Sequence, residues 1–573
     1  MLETKETKYI IGRFFQKYLT PILAVIIFIG LFIFFSAYAA GPKGSDELLY
    51  ADIGLRGYGN YIVMNRYTHI YLEAIFMALA PNPLAGMRIF WGFVASVSVV
   101  SVFLLGRYLR KESNIWHGIV AMLIFLAGNI FDNYFGIPIV DLTATMMVMI
   151  YLLVFIYFIR KNDNKWVIIL LGAIFFWAFK AKEFAVILLL TLPVLGFDSE
   201  NSFNWKKALT GLGYFALGVL AGSAIFILVN TIVLGDPLFG MKISDWIQFR
   251  TTIASFTSIQ PDPESYLQAL IWPVYFLSFT LYLLSFAKRQ SKLSLREKII
   301  WLMPLVYLVM MILLMVKSGW RTDGRYLYPV IGLIAALATQ YFEFKLPNGK
   351  RATIIYIIEL LAGIVIIFLV RFLLYRISAV LGITISDLVM NYAVDLFFLI
   401  LLLAILTIQE KTPLVSILMI VLIGLNVFFS LSMNLKAALR GDMRNRVNNR
   451  FAALALPRDV LDLCPQTTIE ISSGLLDEMS IHPDPYEAAG VINIFLDARL
   501  PIESFSFMAE DEPIEISLSK ASADYLMMTS REWDVMMDGN PNLSFEQYQM
   551  VQDDNNWVVI MENYNRTSCQ SEP

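Results

Sequence analysis

The sequence predicts a polytopic α-helical membrane protein with a small α/β domain at its C-terminal end. Apolar residues make up 58% of the 573 positions and charged residues only 16%, whereas soluble domains contain roughly 45–50% apolar residues. The mean hydropathy is +0.64. Long apolar runs recur along residues 1–433, and residues 434–573 are more polar and contain short strand-like runs. This pattern excludes an ordinary soluble enzyme.

Thirteen membrane spans are predicted, because a hydrocarbon core of about 30 Å requires roughly 17–25 apolar residues per helix. They cover residues 19–40, 84–106, 115–130, 138–158, 166–179, 184–195, 208–234, 266–286, 299–315, 327–341, 354–374, 388–408 and 415–433. Residues 166–195 are too long for one helix and short for two, and Lys180, Lys182 and Glu183 interrupt this apolar run. We interpret it as two helices because of the loop charges.

Loop charges set the predicted orientation, since cytoplasmic loops collect Lys and Arg. With a cytoplasmic N-terminus and two helices in residues 166–195, the densest basic cluster, from Lys288 to Lys298, lies inside. A single crossing would move that cluster outside. The same topology places the polar clusters around Asp46, Asp141 and Lys182 on the outer side. We therefore expect a multi-pass protein of the cell membrane whose functional site and C-terminal domain are extracytoplasmic.

The C-terminal domain is strongly acidic, with 22 Asp or Glu against 4 Lys or Arg from residue 459 onward. It carries both cysteines of the chain, Cys464 and Cys569. An oxidising exterior permits a disulfide between them, and two free thiols are the alternative. Strand-like runs cover residues 467–471, 514–518, 525–528 and 557–561, and residues 531–537 suit a helix. The domain contains no nucleotide-binding glycine loop and no metal-ligand spacing, and nucleic acid is not an expected partner.

Several polar motifs follow one another on the predicted outer side. They are Asp46-Glu47 after the first span, Arg66-Tyr67-Thr68-His69 before a helix, Pro81 to Pro83 with Gly86-Met87-Arg88, Lys182-Glu183, and Arg325-Tyr326-Leu327-Tyr328-Pro329. In this order they resemble the GT-C superfamily of membrane glycosyltransferases. Within it, the protein O-mannosyltransferases and the aminoarabinose transferases that modify lipid A are most similar. The resemblance covers residues 19–340, and Arg66 stands where relatives often have Lys followed by two prolines.

That resemblance implies a GT-C fold, a polyprenyl-phosphate sugar donor and transfer to an acceptor at the outer face of the membrane. The acceptor would be a lipid, a glycan or a protein hydroxyl, and membrane lipids surround the chain. Asp46 matches the catalytic Asp of the family and would act as the base, with Glu47 beside it. The alternative for Asp46 is a carboxylate that stabilises a helix N-terminus. The implied mechanism is a single displacement with inversion at the anomeric carbon.

The anionic leaving group of such a donor needs cations to hold it. The candidates are Arg325 with the adjacent Tyr326, then Lys182, Arg66 and Arg321. The alternative for Arg325 is an arginine that extends toward the membrane interface. The alternative for Lys182 is a lysine that only lies in the turn between two antiparallel helices.

A second acid is expected near the fourth span. Asp141 lies inside an apolar run, where a carboxylate is costly and usually functional. We assign it to binding the acceptor or to positioning Lys182, and Asp132 is the competing choice. Together with Asp46, Glu183 or His69, either acid could complete an oxygen-rich divalent metal site. The chain has only three histidines, so a histidine-based zinc centre is not expected.

Two other classes of protein compete with this interpretation. A transporter or lipid flippase would use its polar intramembrane residues to line a path, but such proteins usually show inverted repeats, and none is visible here. An oligosaccharide ligase would place its large outer loop late in the chain.

Residues 235–265 form a long predicted outer loop that either covers the site or lies at the interface as an amphipathic helix.

Overall fold

The computed structural model describes most of the first 342 residues and parts of the C-terminal domain. The described ranges are 3–42, 45–59, 63–128, 136–161, 164–197, 202–248, 273–318, 327–342, 463–464, 466–478, 502–508, 523–539, 548–554 and 558–564, with single residues such as 461, 493 and 500 and others between 354 and 439.

The described N-terminal part consists of helices joined by turns and short loops. The helices are α1 (Glu3–Tyr38), α2 (Ser45–Arg56), α3 (Tyr67–Leu79), α4 (Pro83–Tyr108), α5 (Ile115–Leu126), α6 (Val140–Lys161), α7 (Lys165–Ala181), a 3₁₀ helix (Glu183–Gly196), α8 (Trp205–Val233), α9 (Pro273–Arg289), α10 (Leu295–Ser318) and α11 (Tyr328–Ala338).

Several of these helices have the length and apolarity of membrane spans. Within the described ranges, four qualify fully: Leu19–Tyr38, Pro83–Tyr108, Val140–Arg160 and Trp205–Val233. Three shorter apolar helices accompany them, at Ile115–Leu126, Glu183–Gly196 and Tyr328–Tyr341. The predicted mainly helical, multi-pass architecture is therefore confirmed. The predicted spans at 354–374, 388–408 and 415–433 lie almost entirely outside the described residues, so the number thirteen and the orientation stay predictions.

The disputed run of residues 166–195 forms two helices. Helix α7 ends at Ala181, Lys182 has an extended backbone with φ −166° and ψ 139°, and the 3₁₀ helix begins at Glu183. The charged residues therefore occupy the break between two apolar helices, where their side chains can leave the helix surfaces.

Two short helices, α2 and α3, form the first predicted outer loop. Helix α2 ends at Arg56, and the next residue, Gly57, has a φ of +69°, a value that favours glycine. Helix α4 begins behind Asn82, whose side chain accepts a hydrogen bond from the Ala85 amide at 2.8 Å. A Cβ at Gly86 would lie 2.3 Å from the Met77 Cα. Helices α3 and α4 therefore cross with their backbones nearly in contact, and glycine is required there.

The C-terminal domain contains a mixed five-stranded sheet with the order β2-β1-β3-β5-β4. The strands are β1 (Ile469–Ile471), β2 (Phe505–Phe507), β3 (Tyr525–Thr529), β4 (Tyr548–Asp554) and β5 (Val558–Asn563), and the helices are α12 (Ser473–Glu478) and α13 (Ser530–Gly539). Strand β1 pairs in parallel with β2 and β3, and β5 pairs antiparallel with β3 and β4. The predicted α/β class is confirmed. The predicted strand at 514–518 lies outside the described residues, and the short or polar strands β2 and β4 were not predicted.

The sheet shares a hydrophobic core with the helical part. Leu48 and Ala51 of α2 belong to one buried cluster with Ile469, Leu475 and Tyr525 of the C-terminal domain. A separate, larger cluster holds α4, α6, α7 and α11 together. Helix α2 therefore lies between the helices and the C-terminal sheet.

Candidate functional site

Helix α2 presents the acidic pair that the sequence singled out. Both Asp46 and Glu47 lie in its first turn. The Asp46 side chain is exposed, whereas Glu47 is only 8% exposed. Carboxylates are favoured at a helix N-terminus, so the position explains why an acid is tolerated there. Because the Asp46 side chain is exposed, its carboxylate is accessible to a substrate.

Arg66 and Glu183 form an ion pair between two motifs that are far apart in sequence. Arg66 Nη1 donates to Glu183 Oε2 at 2.6 Å, and the side chains are 17% and 24% exposed. Arg66 directly precedes α3, and Glu183 begins the 3₁₀ helix. The pair therefore joins the first predicted outer loop to the break between the helices.

Asp141 and Lys182 form a second ion pair next to the first. Lys182 Nζ donates to Asp141 Oδ1, and the two side chains are 3% and 1% exposed, respectively. Asp141 lies in the first turn of α6. Lys182 also lies 5.3 Å from the centre of the Phe184 ring, a distance at which a cation and an aromatic face attract. The two side chains are therefore in direct contact, and both predicted roles of Asp141, positioning Lys182 or binding the acceptor, stay predictions.

The two pairs form one cluster of alternating charges. Lys182 and Glu183 are consecutive, so the second cation lies beside the first anion. Asp141 and Tyr50 also act electrostatically on Arg66. Side chains from the loop before α3, from α6 and from the break after α7 therefore meet at one end of the helices, beside α2.

His69 and Glu73 form a buried polar pair behind this cluster. His69 Nδ1 lies 2.8 Å from Thr143 Oγ1, and its ring packs edge to face with Tyr50, with the ring centres 5.5 Å apart. On the other side, His69 Nε2 lies 3.6 Å from Glu73 Oε2. His69 therefore links α3 to α2 and α6, as a structural connector of the site.

Both members of this pair favour their uncharged forms. Burial, together with the nearby Arg66, lowers the pKa of His69 to about 3. Burial, reinforced by the Glu47 carboxylate, raises the pKa of Glu73 well above its ordinary value. Within the described residues neither Glu73 oxygen makes a hydrogen bond, and a neutral carboxyl costs less there than a carboxylate. The sequence analysis missed Glu73, although an acid four residues after His69 in an apolar helix is a detectable signal.

A second group that the sequence analysis did not select is centred on Asp52 of α2, which is fully buried. Arg56 Nε donates to Asp52 Oδ1 at 2.7 Å, and the Tyr58 hydroxyl donates to Oδ2 at 3.0 Å. Asn493 of the C-terminal domain donates its side-chain amide to Oδ1 at 3.3 Å. No local sequence pattern could have found this contact, because 441 positions separate its partners.

Four of the predicted site residues lie outside the described residues. These are Asp132, Arg321, Arg325 and Tyr326, and their roles stay predictions. Of the predicted outer loop at residues 235–265, the structure describes only the part up to residue 248. In that part Trp246 stacks on Phe179 with ring centres 6.0 Å apart, and Lys180 Nζ donates to the Gly240 carbonyl oxygen at 2.6 Å. The start of the loop is therefore anchored on the end of α7.

In the C-terminal domain Cys464 is disulfide-bonded, and Cys569 lies outside the described residues. Across the described parts of the chain, no group of three or more His, Cys, Asp or Glu side chains is arranged to hold a metal ion. The predicted combinations of Asp141 with Asp46, Glu183 or His69 do not meet there as a metal site.

No family model and no curated protein matched the sequence. Among solved structures, ArnT from Cupriavidus metallidurans bound to undecaprenyl phosphate is similar over 96% of this chain and 98% of its own, with 14% identity and a TM-score of 0.48. Its apo state gives the same coverage, with 11% identity and a TM-score of 0.49. The Archaeoglobus fulgidus oligosaccharyltransferase in the apo form is similar over 90% of this chain and 70% of its own, with 11% identity and a TM-score of 0.45. At these identities the likenesses concern the fold alone.

Proposed function

We propose that this chain is an integral membrane glycosyltransferase that transfers a sugar from a polyprenyl-phosphate donor to an acceptor hydroxyl. The reaction takes place at the outer face of the membrane and inverts the anomeric carbon. Asp46 is the base, and Arg66 and Lys182 are the described cations that hold the donor phosphate. Arg325 remains the motif-based candidate for the same task.

The observation that carries this proposal is the meeting of Arg66, Asp141, Lys182 and Glu183. These residues come from three separate regions of the sequence and form two adjacent ion pairs beside the helix that presents Asp46. Withdrawing an ion pair such as Lys182 and Asp141 from water carries a desolvation cost, and a function of the cluster would account for that cost. A site that binds a phosphate beside a general base is such a function.

The two pairs differ in exposure, which suggests a division of roles. The Arg66 and Glu183 side chains are 17% and 24% exposed, whereas those of Lys182 and Asp141 are 3% and 1% exposed. Arg66 is the more accessible cation, and its guanidinium can bind two phosphate oxygens at once. Lys182 contributes positive charge from its more buried position, and Asp141 and Glu183 hold the two cations in position.

The proposed step is balanced with these groups alone. The acceptor oxygen forms a bond to the anomeric carbon while the bond between that carbon and the phosphate oxygen breaks. The acceptor proton passes to Asp46, and the electron pair of the broken bond leaves on the polyprenyl phosphate. The phosphate gains one negative charge in this step, and nearby cations stabilise that charge most when it develops.

The test is transfer of radiolabelled sugar from a panel of polyprenyl-phosphate sugars by the purified protein, with and without a chelator. Asp46→Asn is expected to reduce transfer by roughly 10²–10⁴-fold, the usual contribution of a general base. Glu112→Gln is the control, because Glu112 is a 70% exposed acid in the loop between α4 and α5, away from the predicted site, and its ion-pair partner in the described residues is Arg110. This control should transfer sugar like the wild type.

Two results would contradict the proposal in different ways. Transfer by Asp46→Asn at the wild-type rate would remove Asp46 as the base but keep the reaction class. No turnover of any donor, together with binding of a lipid or solute that Asp46→Asn leaves unchanged, would favour a transporter or flippase.

A further inference from the structure

Helix α2 is held from two sides. Its residues Tyr50 and Ile53 pack in a cluster with α3, α6 and α8. Its residues Leu48 and Ala51 pack in the core that contains the C-terminal sheet. The C-terminal domain therefore forms one of the two walls between which the helix that presents Asp46 lies.

A polar contact fixes α2 to that wall at one defined point. Asp52 is fully buried and receives hydrogen bonds from Arg56, Tyr58 and Asn493. Arg56 Nη1 in turn donates to the Leu500 carbonyl oxygen at 3.3 Å. Both members of the Asp52–Arg56 pair therefore bind the C-terminal domain. We call the four residues Asp52, Arg56, Asn493 and Leu500 the α2 clamp.

Within the clamp, Asn493 is itself held rigidly. Its side-chain amide also donates to the Leu500 carbonyl oxygen at 3.0 Å, and its Oδ1 accepts from the Leu500 amide at 2.9 Å. Asn493 is fully buried. Hydrogen bonds to a buried carboxylate require defined distances and directions, so they add to the apolar packing a defined position along and around the helix axis.

We propose that the C-terminal domain positions the catalytic helix through this clamp, and that Asn493 is a positioning residue of the active site. The inference rests on the proposed function, because it takes Asp46 as the base. Asp52 lies six residues after Asp46, which is about 9 Å along a helix. Fixing Asp52 therefore fixes the direction in which the first turn of α2 presents the Asp46 carboxylate. Since a misplacement of about 1 Å can cost roughly 10²-fold in rate, release of the clamp should reduce catalysis.

The experiment compares Asn493→Ala with Asn563→Ala in the purified full-length protein. Asn563 is a matched control because its side chain also donates to a carbonyl oxygen of the C-terminal domain, that of Ala523 at 3.4 Å, and lies outside the clamp. Asn493→Ala is expected to lower kcat by about tenfold or more and to change the KM for the donor by less than about twofold. Asn563→Ala should leave both unchanged.

Hydrogen exchange of the backbone amides supplies a readout that does not depend on turnover. In Asn493→Ala the amides of α2 should exchange faster, while those of α4 exchange at the wild-type rate. In Asn563→Ala both helices should keep the wild-type rate. If Asn493→Ala does not fold, Asp52→Asn, which keeps the shape of the side chain, replaces it with the same expected results.

The outcomes separate this inference from the proposed function. Unchanged kcat with unchanged exchange of α2 in Asn493→Ala would overturn the clamp. A fall in kcat that Asn563→Ala reproduces would also overturn it, since the effect would then come from general destabilisation of the domain. If the wild type transfers no sugar from any donor, the proposed function fails, and faster exchange of α2 in Asn493→Ala alone would still support the clamp.

Discussion

The buried pair of Asp141 and Lys182 offers a direct test of how charge is accommodated at this site. The perturbation is a double-mutant cycle of Asp141→Leu, Lys182→Met and the combined variant. Each single change leaves one charge without its partner in a place where the side chains are 3% exposed or less. The combined change removes both charges and keeps apolar side chains of similar size.

The expected magnitudes follow from this burial. Removing one partner of a buried pair typically costs about 3–5 kcal/mol, whereas replacing both with apolar residues is often close to neutral. The combined variant should therefore melt at a higher temperature than either single variant. The exposed pair of Asp236 and Lys242, with side chains 43% and 42% exposed, is the control, and its removal should cost less than about 1 kcal/mol.

The assay is thermal unfolding of the purified variants in one detergent, together with sugar transfer. All three variants of the cycle should lose transfer, because Lys182 is absent or displaced in each. A combined variant that is destabilised by the sum of the two single effects would refute the reasoning, since it would mean that the two charges are not coupled.

Three further predictions follow from other parts of the structure. Burial raises the pKa of Glu73 above its ordinary 4.5, so the stability that Glu73 contributes falls as pH rises from 4.5 toward its folded pKa. Over that range Glu73→Gln should gain stability relative to the wild type in thermal unfolding, by up to roughly 1.4 kcal/mol per pH unit. A Cβ at Gly86 would lie 2.3 Å from the Met77 Cα, but one at Gly30 would meet nothing within 4 Å. Gly86→Ala should therefore reduce the yield of folded protein in gel filtration, and Gly30→Ala should not. Reduction of the Cys464 disulfide should destabilise the C-terminal domain by about 2–4 kcal/mol, measured by its susceptibility to proteolysis. Resistance equal to that of the oxidised protein would contradict this.

The fold class could be predicted from the sequence because long apolar runs and short alternating runs have different periods. The break at Lys182 was also predictable, since charged side chains interrupt an apolar run there. The pairing of Arg66 with Glu183 was not, because 117 positions separate them and their meeting depends on how α3 packs against the helix break. Among the contacts of the site, only the one between Asp141 and Lys182 was anticipated.

Buried polar residues were the hardest to predict. Glu73 is the only acid in the apolar helix α3. Whether it is buried depends on how α3 packs. Asp52 was not selected from the sequence, and 441 positions separate it from its partner Asn493. In both cases the tertiary packing decides whether the carboxyl group faces water or the interior.

The core shared by α2 and the C-terminal sheet has a consequence for the order of assembly. During synthesis, α2 emerges among the first 60 residues, long before Ile560 of β5, which completes the same cluster. Domains of a growing chain generally fold from the N-terminal side as they appear. Here, however, the helix that presents Asp46 receives its second wall only after almost the whole polypeptide has been made. The final packing of α2 would therefore be one of the last folding events of the protein.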